Sequence, residues 1–374
     1  MKATTGESDI PFEASQANMD AFEAATGWKP ERHLEDAIPL IIEHERQHLS
    51  EESTRVPGHV MITSAAKKIP LLLRVKQAAA KLHPDIRVLA SDASASALAQ
   101  HFSDGFWTMP YLRDLDAASL TAACCARGVT QIIPTRDGEL AFFAGHREAL
   151  KQAGISIMVS APEAVDVCLD KLRFASFGLA AGLPAIPAQE SLPVNAEGTW
   201  VVKERYGSGS SSMGLNLSVA DALAHAAKLT APIFQPFVGG MQEYSADIYV
   251  ARSGQMKGCV TRTRDVVVNG ESQVTTTTEN TALVGVCEKL VSSLPFYGHI
   301  IVQAFVDASG RVHLIEVNPR FGGASSLAIE AGLDSIYWFL LESQGADIRD
   351  IPCLHDPARR LRQVRHVHDL IEVL

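Results

Sequence analysis

The sequence predicts a mixed fold, with an α/β first half and an α+β second half. Between residues 56 and 160, short apolar segments alternate with helical stretches, which is typical of βαβ units around a parallel sheet. Beyond residue 235, long strand-like segments follow one another across short turns, which indicates antiparallel hairpins. A chain of 374 residues has room for two or three packed units.

Five segments follow from these patterns. We expect a helical extension over 1–55, a parallel α/β domain over 56–160, two α+β subdomains over 161–234 and 235–345, and a C-terminal tail over 346–374. Within them, the pattern predicts one helix over 162–182, a strand over 233–240 and a closing strand over 360–373.

The predicted parallel sheet has four strands, at 59–63, 86–92, 130–135 and 155–160. Ligands of such sheets gather beyond the carboxyl ends of the strands. Asp92 ends the second predicted strand, Thr135 ends the third, and Arg136 and Asp137 follow it. We therefore expect these residues near a bound small molecule.

Composition narrows the class of protein. The net charge is −10 and the basic residues are scattered, whereas a nucleic-acid binder needs clustered Lys and Arg. None of the six cysteines stands in a CxxC pair, which favours reduced thiols. The first 20 residues lack a secretory signal pattern, and no apolar run is long enough for a membrane span. These features predict a cytoplasmic protein with neither nucleic-acid nor membrane partners.

The strongest motif is HIIVQAFVDASGRVHLIEVNPRFGG, residues 299–323. Ser309 and Gly310 predict a two-residue hairpin turn, and that register places Gln303 directly opposite Glu316. Asn318 points the same way as Glu316. These oxygen ligands predict a Mg²⁺ site that substrate phosphates complete.

Two features after this hairpin strengthen the prediction. Arg320 is a cation suited to a phosphate or acyl phosphate, and Gly322 and Gly323 allow close backbone approach to an anion. The alternative is a strand end whose polar groups face water. The matched Gln303, the arginine and the two glycines together favour the metal–phosphate site.

A second motif, VVKERYGSGSSSMG at 201–214, joins a strand carrying Lys203 to a loop rich in Gly and Ser. Such a loop offers backbone N–H groups that cradle phosphates, although it lacks the Walker A pattern. A surface turn or linker is the alternative.

Two further motifs have candidate roles and alternatives. In QPFVGGMQEYSADIYV, at 235–250, Phe237 and Val238 could wall an adenine pocket and Glu243 could accept hydrogen bonds from ribose, while an edge hairpin fits equally well. In TRTRD, Arg262 and Arg264 share one strand face and favour phosphate or carboxylate binding over solvated arginines.

One motif suggests zinc. Residues 44–48 read HERQH, which matches the HExxH pattern of zinc peptidases. The surrounding extension offers no second helix with a third ligand, so a solvated amphipathic helix is favoured. His366 and His368 alternate in a predicted strand and are interpreted as surface residues.

Taken in order, these motifs and Asp170-Lys171 resemble the ATP-grasp superfamily, and within it the carbamoyl-phosphate-synthetase-like branch, over roughly residues 57–345. The resemblance implies a Rossmann-like parallel α/β domain followed by two α+β subdomains that enclose ATP. It also implies two bound Mg²⁺ ions, a role that Mn²⁺ can fill.

The resemblance assigns roles residue by residue. Residues 207–214 would form a mobile lid over the nucleotide phosphates. The residues expected to contact these phosphates are Lys171, Lys203, Gly207, Ser208, Gly209 and Ser210. Adenine and ribose contacts fall to Gln235, Phe237, Val238 and Glu243. The metal ligands are Gln303, Glu316 and Asn318. Groups that act on the transferred phosphoryl or acyl phosphate are Arg320, Arg262 and Arg264. Gln235 departs from the family, where Glu is commoner.

The implied activity is an ATP-dependent ligation in which a carboxylate becomes an acyl phosphate and an amine displaces the phosphate. The alternatives are biotin-carboxylase-like carboxyl activation and a non-catalytic ATP-binding regulatory protein. The partners would be a small carboxylate and an amine, with Asp92 and residues 136–139 as pointers to the acceptor, and a homodimer stays open. The sequence does not identify the acid or the nucleophile.

Overall fold

The computed structural model describes residues 58–207, 212–366 and 369–370. The chain divides into two units, Met1–Val56 and Pro57–Leu374, and the fold described here belongs to the second. The predicted helical extension and its HERQH motif lie outside the described residues, as do Ser208, Gly209, Ser210 and His368.

The first part of this unit is a five-stranded parallel sheet in the order β3-β2-β1-β4-β5. Its strands are β1 (His59–Ile62), β2 (Val88–Asp92), β3 (Gly105–Thr108), β4 (Val129–Ile133) and β5 (Ser156–Ile157). Its helices are α1 (Ile69–Leu82), α2 (Ala117–Cys125) and α3 (Asp137–Gln152).

The parallel sheet and its four predicted strands are confirmed, with two differences. The strand predicted at 155–160 is confined to Ser156–Ile157. The edge strand β3 was not predicted, because its GFWT segment is short and half-exposed and lacks the buried apolar run of the inner strands.

Two helices, α4 (Pro162–Leu169) and α5 (Lys171–Ala180), replace the single helix that the sequence predicts over 162–182. Asp170 separates them with an extended backbone, and its carboxylate accepts the N–H groups of Leu172 and Arg173. A side chain that caps α5 in this way competes with continuation of α4. The prediction of one helix was therefore wrong.

Next comes a three-stranded antiparallel sheet in the order β7-β6-β8. It consists of β6 (Trp200–Glu204), β7 (Gly214–Leu217) and β8 (Pro232–Pro236), with α6 (Val219–Ala226) between β7 and β8. The strand predicted over 233–240 thus ends at Pro236.

The largest sheet is six-stranded and antiparallel, in the order β13-β12-β9-β10-β11-β14. Its strands are β9 (Gln242–Val250), β10 (Met256–Val268), β11 (Glu271–Thr277), β12 (Gly298–Val306), β13 (Val312–Asn318) and β14 (Arg362–Val364). Three helices accompany it: α7 (Thr281–Ser293), α8 (Ser325–Glu330) and α9 (Ser335–Ser343). The closing strand expected in the C-terminal tail is confirmed as β14, which pairs with β11.

The β12–β13 hairpin pairs Gln303 with Glu316, as predicted, but its loop and its register differ from the prediction. Asp307 pairs with Arg311 across a three-residue loop, and Gly310 there has φ +82°. The predicted two-residue turn at Ser309 and Gly310 is therefore wrong. A bulge next to Gln303 shifts the register by one residue and restores the predicted pair.

One hydrophobic core joins the parallel sheet to the end of the chain. Buried apolar side chains of β1, β2 and α1 pack with those of α8 and α9, among them the buried Trp338 and Phe339. A second core lies between the six-stranded sheet and helices α4, α5 and α7. None of the described helices is long and apolar enough to span a membrane.

Two glycines occupy equivalent positions after helices, and only one is crowded. Gly332 follows α8 with φ +104°, and a Cβ there would lie 2.6 Å from the carbonyl carbon of Leu354. Gly345 follows α9 with φ +90° and has no atom within 4 Å of that position. Gly332 therefore lets the segment leading to β14 pass directly over α8.

Replacing these glycines should separate backbone strain from steric contact. We expect Gly345→Ala to cost about 1–2 kcal/mol because of its positive φ. Gly332→Ala should cost roughly 2–5 kcal/mol, since a displaced backbone adds to that strain. Urea unfolding measures both values, and equal losses would contradict the close approach of residue 354.

Candidate active site

A cavity of about 530 Å³ lies where the three sheets meet. The parallel domain contributes Lys68, Thr135 and Asp137 from loops after β1 and β4, and the three-stranded sheet contributes Lys203 and Gln235. The remaining wall is the face of the six-stranded sheet. The loops at the carboxyl ends of the parallel strands thus meet the predicted metal hairpin.

One transverse row of side chains crosses the six-stranded sheet at the cavity. Glu316 pairs with Gln303, Gln303 with Ser245, and Ser245 with Arg262. All four side chains line the cavity. Ser245 is buried, and its Oγ has no hydrogen-bond partner among the described residues. An unpaired buried hydroxyl is costly, so a ligand or water is expected to complete it.

The three predicted metal ligands are brought together by this register. Asn318 Nδ2 donates to Glu316 Oε1 at 3.1 Å, and Gln303 Oε1 accepts a hydrogen bond from Arg264 Nη1 at 3.1 Å. The oxygens of Gln303 and Asn318 are therefore held by arginines, since Arg320 Nη2 donates to Asn318 Oδ1 at 3.2 Å.

This donor set fits a magnesium ion that arrives with a nucleotide. The three predicted ligands all offer hard oxygens, and Glu316 is the only carboxylate among the three. No cluster of three or more His, Cys, Asp or Glu that could hold a metal occurs in the described part of the chain. Mg²⁺ commonly takes one or two carboxylates and completes its shell with phosphates and water.

Lys203 is buried, and burial lowers the pKa of its ammonium from 10.5 to about 8. Lys171 lowers this pKa further, and Glu316 opposes the shift. Its Nζ forms no hydrogen bond with any described residue, although it lines the cavity. A buried ammonium without a partner is unfavourable, and an anionic ligand in the cavity would remove that cost.

Asp170 and Lys171 lie beside the loop that follows β6. The carboxylate of Asp170 binds the guanidinium of Arg205 through two hydrogen bonds, of 2.8 and 2.6 Å. Lys171 Nζ donates to the carbonyl oxygen of Gly207 at 2.6 Å. Together they anchor the first residue of the predicted lid and place the Lys171 ammonium at the cavity.

The predicted adenine-binding segment forms an apolar end of the cavity. Phe237 and Val238 line it, as do Ile186, Val201, Met213, Leu215, Phe305 and Ile315. Gln235 also lines it, but its Nε2 donates to the carbonyl oxygen of Ile186 at 3.1 Å. The Gln235 side chain therefore links β8 to the segment that precedes β6.

Sequence reasoning missed the part of this wall that the bulge creates. Ile315 and Glu316 are consecutive, yet both line the cavity, because the bulge interrupts the alternation of the strand faces. Regular alternation would have assigned Ile315 to the opposite face.

The two arginines of β10 both line the cavity, but each already has a carboxylate partner. Arg262 Nε donates to Asp247 Oδ2 at 2.7 Å, and both side chains are buried. Arg264 contacts Glu243, the predicted ribose ligand. In this structure the carboxylate of Glu243 therefore neutralises Arg264.

Asp247 is the centre of a buried polar network. Its Oδ1 accepts from Ser325 Oγ at 2.6 Å and lies 3.1 Å from His299 Nε2. Burial alone would raise the pKa of Asp247, but Arg262, His299 and Ser325 hold it well below its usual range. Ser325 Oγ also accepts the N–H of Gly322 at 3.0 Å. The network therefore ties Arg262 to the loop that carries the two glycines.

Arg320 connects the metal hairpin to the parallel domain. Its Nε and Nη2 each donate to Asp137 at 2.7 Å, the bidentate geometry that makes such pairs specific. Asp137 and Arg136 line the cavity, as the carboxyl-end rule predicted. Asp92 does not, because its oxygens accept N–H groups of Ala66 and Ser94.

Lys68 and Glu139 both follow strands of the parallel sheet, but only Lys68 lines the cavity. Lys68 follows β1 and lines the cavity, although it was not predicted; the carboxyl-end rule applied to the first strand would have found it. Glu139 is fully buried and binds Ser64 Oγ and the N–H groups of Thr135 and Arg136. It shapes the loop from within and does not reach the cavity.

We expect Asp247→Ala to lower the free energy of unfolding by about 3–5 kcal/mol, because Arg262 would be left buried without its carboxylate. Asp347→Ala is the matched control, since its partner Arg349 is solvent-exposed. It should leave stability unchanged within error. Urea denaturation compares the two, and a loss from Asp247→Ala no larger than that of the control would refute the network.

The comparisons with known proteins agree with this architecture. A family model described as "ATP-grasp in the biosynthetic pathway with Ter operon" matches residues 231–367, and one described as "PylC-like, N-terminal domain" matches residues 60–158. The first match extends through β14, so it includes residues 346–367 of the segment predicted as a tail. No curated protein matches the sequence.

Solved structures share the fold at low sequence identity. Biotin carboxylase from Campylobacter jejuni aligns with a TM-score of 0.63 at 15% identity, over 78% of this chain and 71% of that one. N5-carboxyaminoimidazole synthetase from Staphylococcus aureus, complexed with ADP, aligns with a TM-score of 0.63 at 16% identity, over 78% of each chain.

The biotin carboxylase domain of 2-oxoglutarate carboxylase from Hydrogenobacter thermophilus aligns with a TM-score of 0.62 at 16% identity, over 80% of this chain and 72% of that one. Three sheets arranged around one cavity, the matched family model and these neighbours lead to one conclusion. The chain has the ATP-grasp fold, and its residues 231–367 match an ATP-grasp family model.

Proposed function

We propose that the protein is an ATP-dependent ligase that activates a carboxylate as an acyl phosphate and transfers the acyl group to an amine. The observation that carries the proposal is Lys203. Its ammonium is buried at the cavity wall, has no hydrogen-bond partner among the described residues and faces the charge of Glu316. A nucleotide phosphate would supply the missing partner.

The nucleotide would lie with its phosphates between Lys171 and Lys203 and its base against Phe237 and Val238. The loop that begins at Gly207 would cover the phosphates. Glu243 would bind the ribose hydroxyls after exchanging its contact with Arg264. On this view the subdomains at 161–234 and 235–345 enclose ATP between their two sheets.

Gln303, Glu316 and Asn318 would hold two Mg²⁺ ions, with Mn²⁺ as a substitute. Bound metal would neutralise charge on the phosphate oxygens. Because Glu316 is the only carboxylate of the set, we propose that the protein binds the metal weakly until a nucleotide adds its phosphates. The arginines that hold Gln303 and Asn318 would then turn toward the phosphoryl group.

The reaction requires two displacements. A carboxylate oxygen of the acid attacks the γ-phosphorus, the bond to the β-phosphate oxygen breaks, and ADP leaves. The amine then attacks the carbonyl carbon, inorganic phosphate leaves and the amine loses a proton. Arg262, Arg264 and Arg320 would stabilise the negative charge in both steps.

An ADP-release screen against pooled acids and amines, with mass spectrometry of the products, tests the proposal. ADP release that requires an acid, together with an amide product, would support it. Tight ATP binding with no acid-dependent ADP release would instead indicate a regulatory nucleotide-binding protein.

Glu316→Gln should lower acid-dependent ADP release by at least about 100-fold, because it removes the carboxylate of the metal site. Nucleotide binding without Mg²⁺ should persist. Glu330→Gln is the control, since Glu330 pairs with Arg74 at the surface. A Glu316→Gln enzyme with an unchanged rate would show that the metal assignment is wrong.

Nucleotide binding should take up a proton through Lys203. Its pKa in the free protein is about 8, and a phosphate partner favours the charged form. At pH 8.5 we therefore expect uptake of roughly half to one proton per ADP, and little uptake at pH 7. Calorimetry in buffers of different ionisation enthalpy measures it. Lys203→Arg should abolish the uptake, and an unchanged value would place the proton elsewhere.

A further inference from the structure

Two ion pairs meet at the end of the cavity beside the parallel domain. One is the bidentate pair of Arg320 and Asp137. The other joins Arg365, just after β14, to Glu271 at 2.5 Å. Arg365 reaches the cavity wall, because its Nη1 lies 2.9 Å from where a Cβ on Gly323 would stand. Each carboxylate in this region is therefore already engaged by an arginine.

Lys68 lies among these two pairs. The charged groups that act on it are Arg320, Glu271, Asp137 and Arg365. It is half-buried at the cavity wall, yet its Nζ makes no hydrogen bond or ion pair with the described residues. Its burial therefore has no compensating partner in the part of the chain that the structure describes.

Arg136 is the second cation without a side-chain partner. It follows β4 and lines the same cavity. Its backbone N–H donates to Glu139 Oε1 at 3.0 Å, and its carbonyl oxygen accepts the N–H of Glu139 at 3.1 Å. Its guanidinium forms no ion pair with any residue that the structure describes. Among the described residues, Lys68 and Arg136 are thus the cations at this end of the cavity without an ion-pair partner; Lys68 is half-buried and Arg136 is exposed.

The proposed nucleotide subsite does not account for this charge. Lys203 is influenced by Glu316 and Lys171, whereas Lys68 is influenced by the two ion pairs. The two lysines therefore have different charged neighbours, and Lys68 belongs to a loop of the parallel domain whereas Lys203 belongs to β6. An anion at Lys68 would be a part of the substrate other than the triphosphate.

We propose that the acid carries a second anionic group, a carboxylate or a phosphate, which Lys68 and Arg136 bind while its reacting carboxylate lies at Arg320. This inference rests on the proposed ligase function and names its substrate class. The two cations come from loops after neighbouring strands β1 and β4. A bidentate arginine and a lysine are well suited to one anionic group.

The test compares acids that differ only in the second charge. Malonate, succinate, glutarate and adipate are each paired with the monocarboxylate of equal carbon number, and 3-phosphonopropionate provides the phosphorus-containing arm. Acid-dependent ADP release is measured with hydroxylamine as the nucleophile, so that acyl phosphate is trapped as hydroxamate. We expect at least one dianion to exceed its partner tenfold or more in kcat/KM. The higher kcat/KM among the dicarboxylates and the phosphonate shows whether the second anionic group is preferably a carboxylate or a phosphate.

Variants test which residues produce the preference for a dianionic acid. Lys68→Gln and Arg136→Gln should each reduce kcat/KM for the preferred dianion about tenfold more than they reduce it for its monocarboxylate partner. Lys68→Arg should restore most of the preference. Lys67→Gln is the matched control, since Lys67 is exposed and outside the cavity lining. Melting temperatures of all variants detect unfolding.

The outcomes distinguish failure of the inferred substrate class from failure of the proposed ligase function. If monocarboxylates react as well as dianions, or if the preference survives Lys68→Gln together with Arg136→Gln, the ligase assignment stands and the inference is wrong. If no acid of either series gives hydroxamate although ADP binds, the proposed function and the inference are both contradicted.

Discussion

The buried carboxylate of Asp247 is the interaction on which the cavity wall depends. A charge in the interior is unfavourable unless it is paired and hydrogen-bonded, and Asp247 meets that requirement with groups from β10, β12 and the start of α8. The same contacts fix the direction of Arg262 and the path of the loop at Gly322. The contacts that stabilise the six-stranded sheet therefore also position its cationic face.

The charges around the cavity form two classes. Some arginines are neutralised within the protein, as Arg264 is by Glu243 and Arg320 by Asp137. Lys203 and Lys68 have no such partner among the described residues. Paired arginines keep their positions in the absence of ligand, whereas unpaired lysines leave electrostatic attraction available to an incoming anion. The cavity is thus ordered and still attractive to negatively charged substrates.

The sequence revealed much of the fold and one decisive part of the site. Buried strands and alternating helices identify the parallel sheet, and the predicted hairpin register places Gln303 opposite Glu316. Long-range contacts were beyond that reasoning. Nothing local shows that Asp247, His299 and Ser325 converge, that Arg365 returns to Gly323, or that Asp170 divides a helix to bind Arg205. These depend on segments that meet only after folding, so composition and periodicity carry no trace of them.

The β12–β13 hairpin has a consequence for tracing the ancestry of such proteins. Its loop has one residue more than the predicted turn, and its bulge compensates for that residue. A two-residue turn without a bulge would give the same spacing between Gln303 and Glu316. Equal spacing in two homologues therefore does not prove equal backbone paths. Insertions and deletions in this hairpin can occur in compensating pairs that preserve chemistry while local sequence similarity is lost.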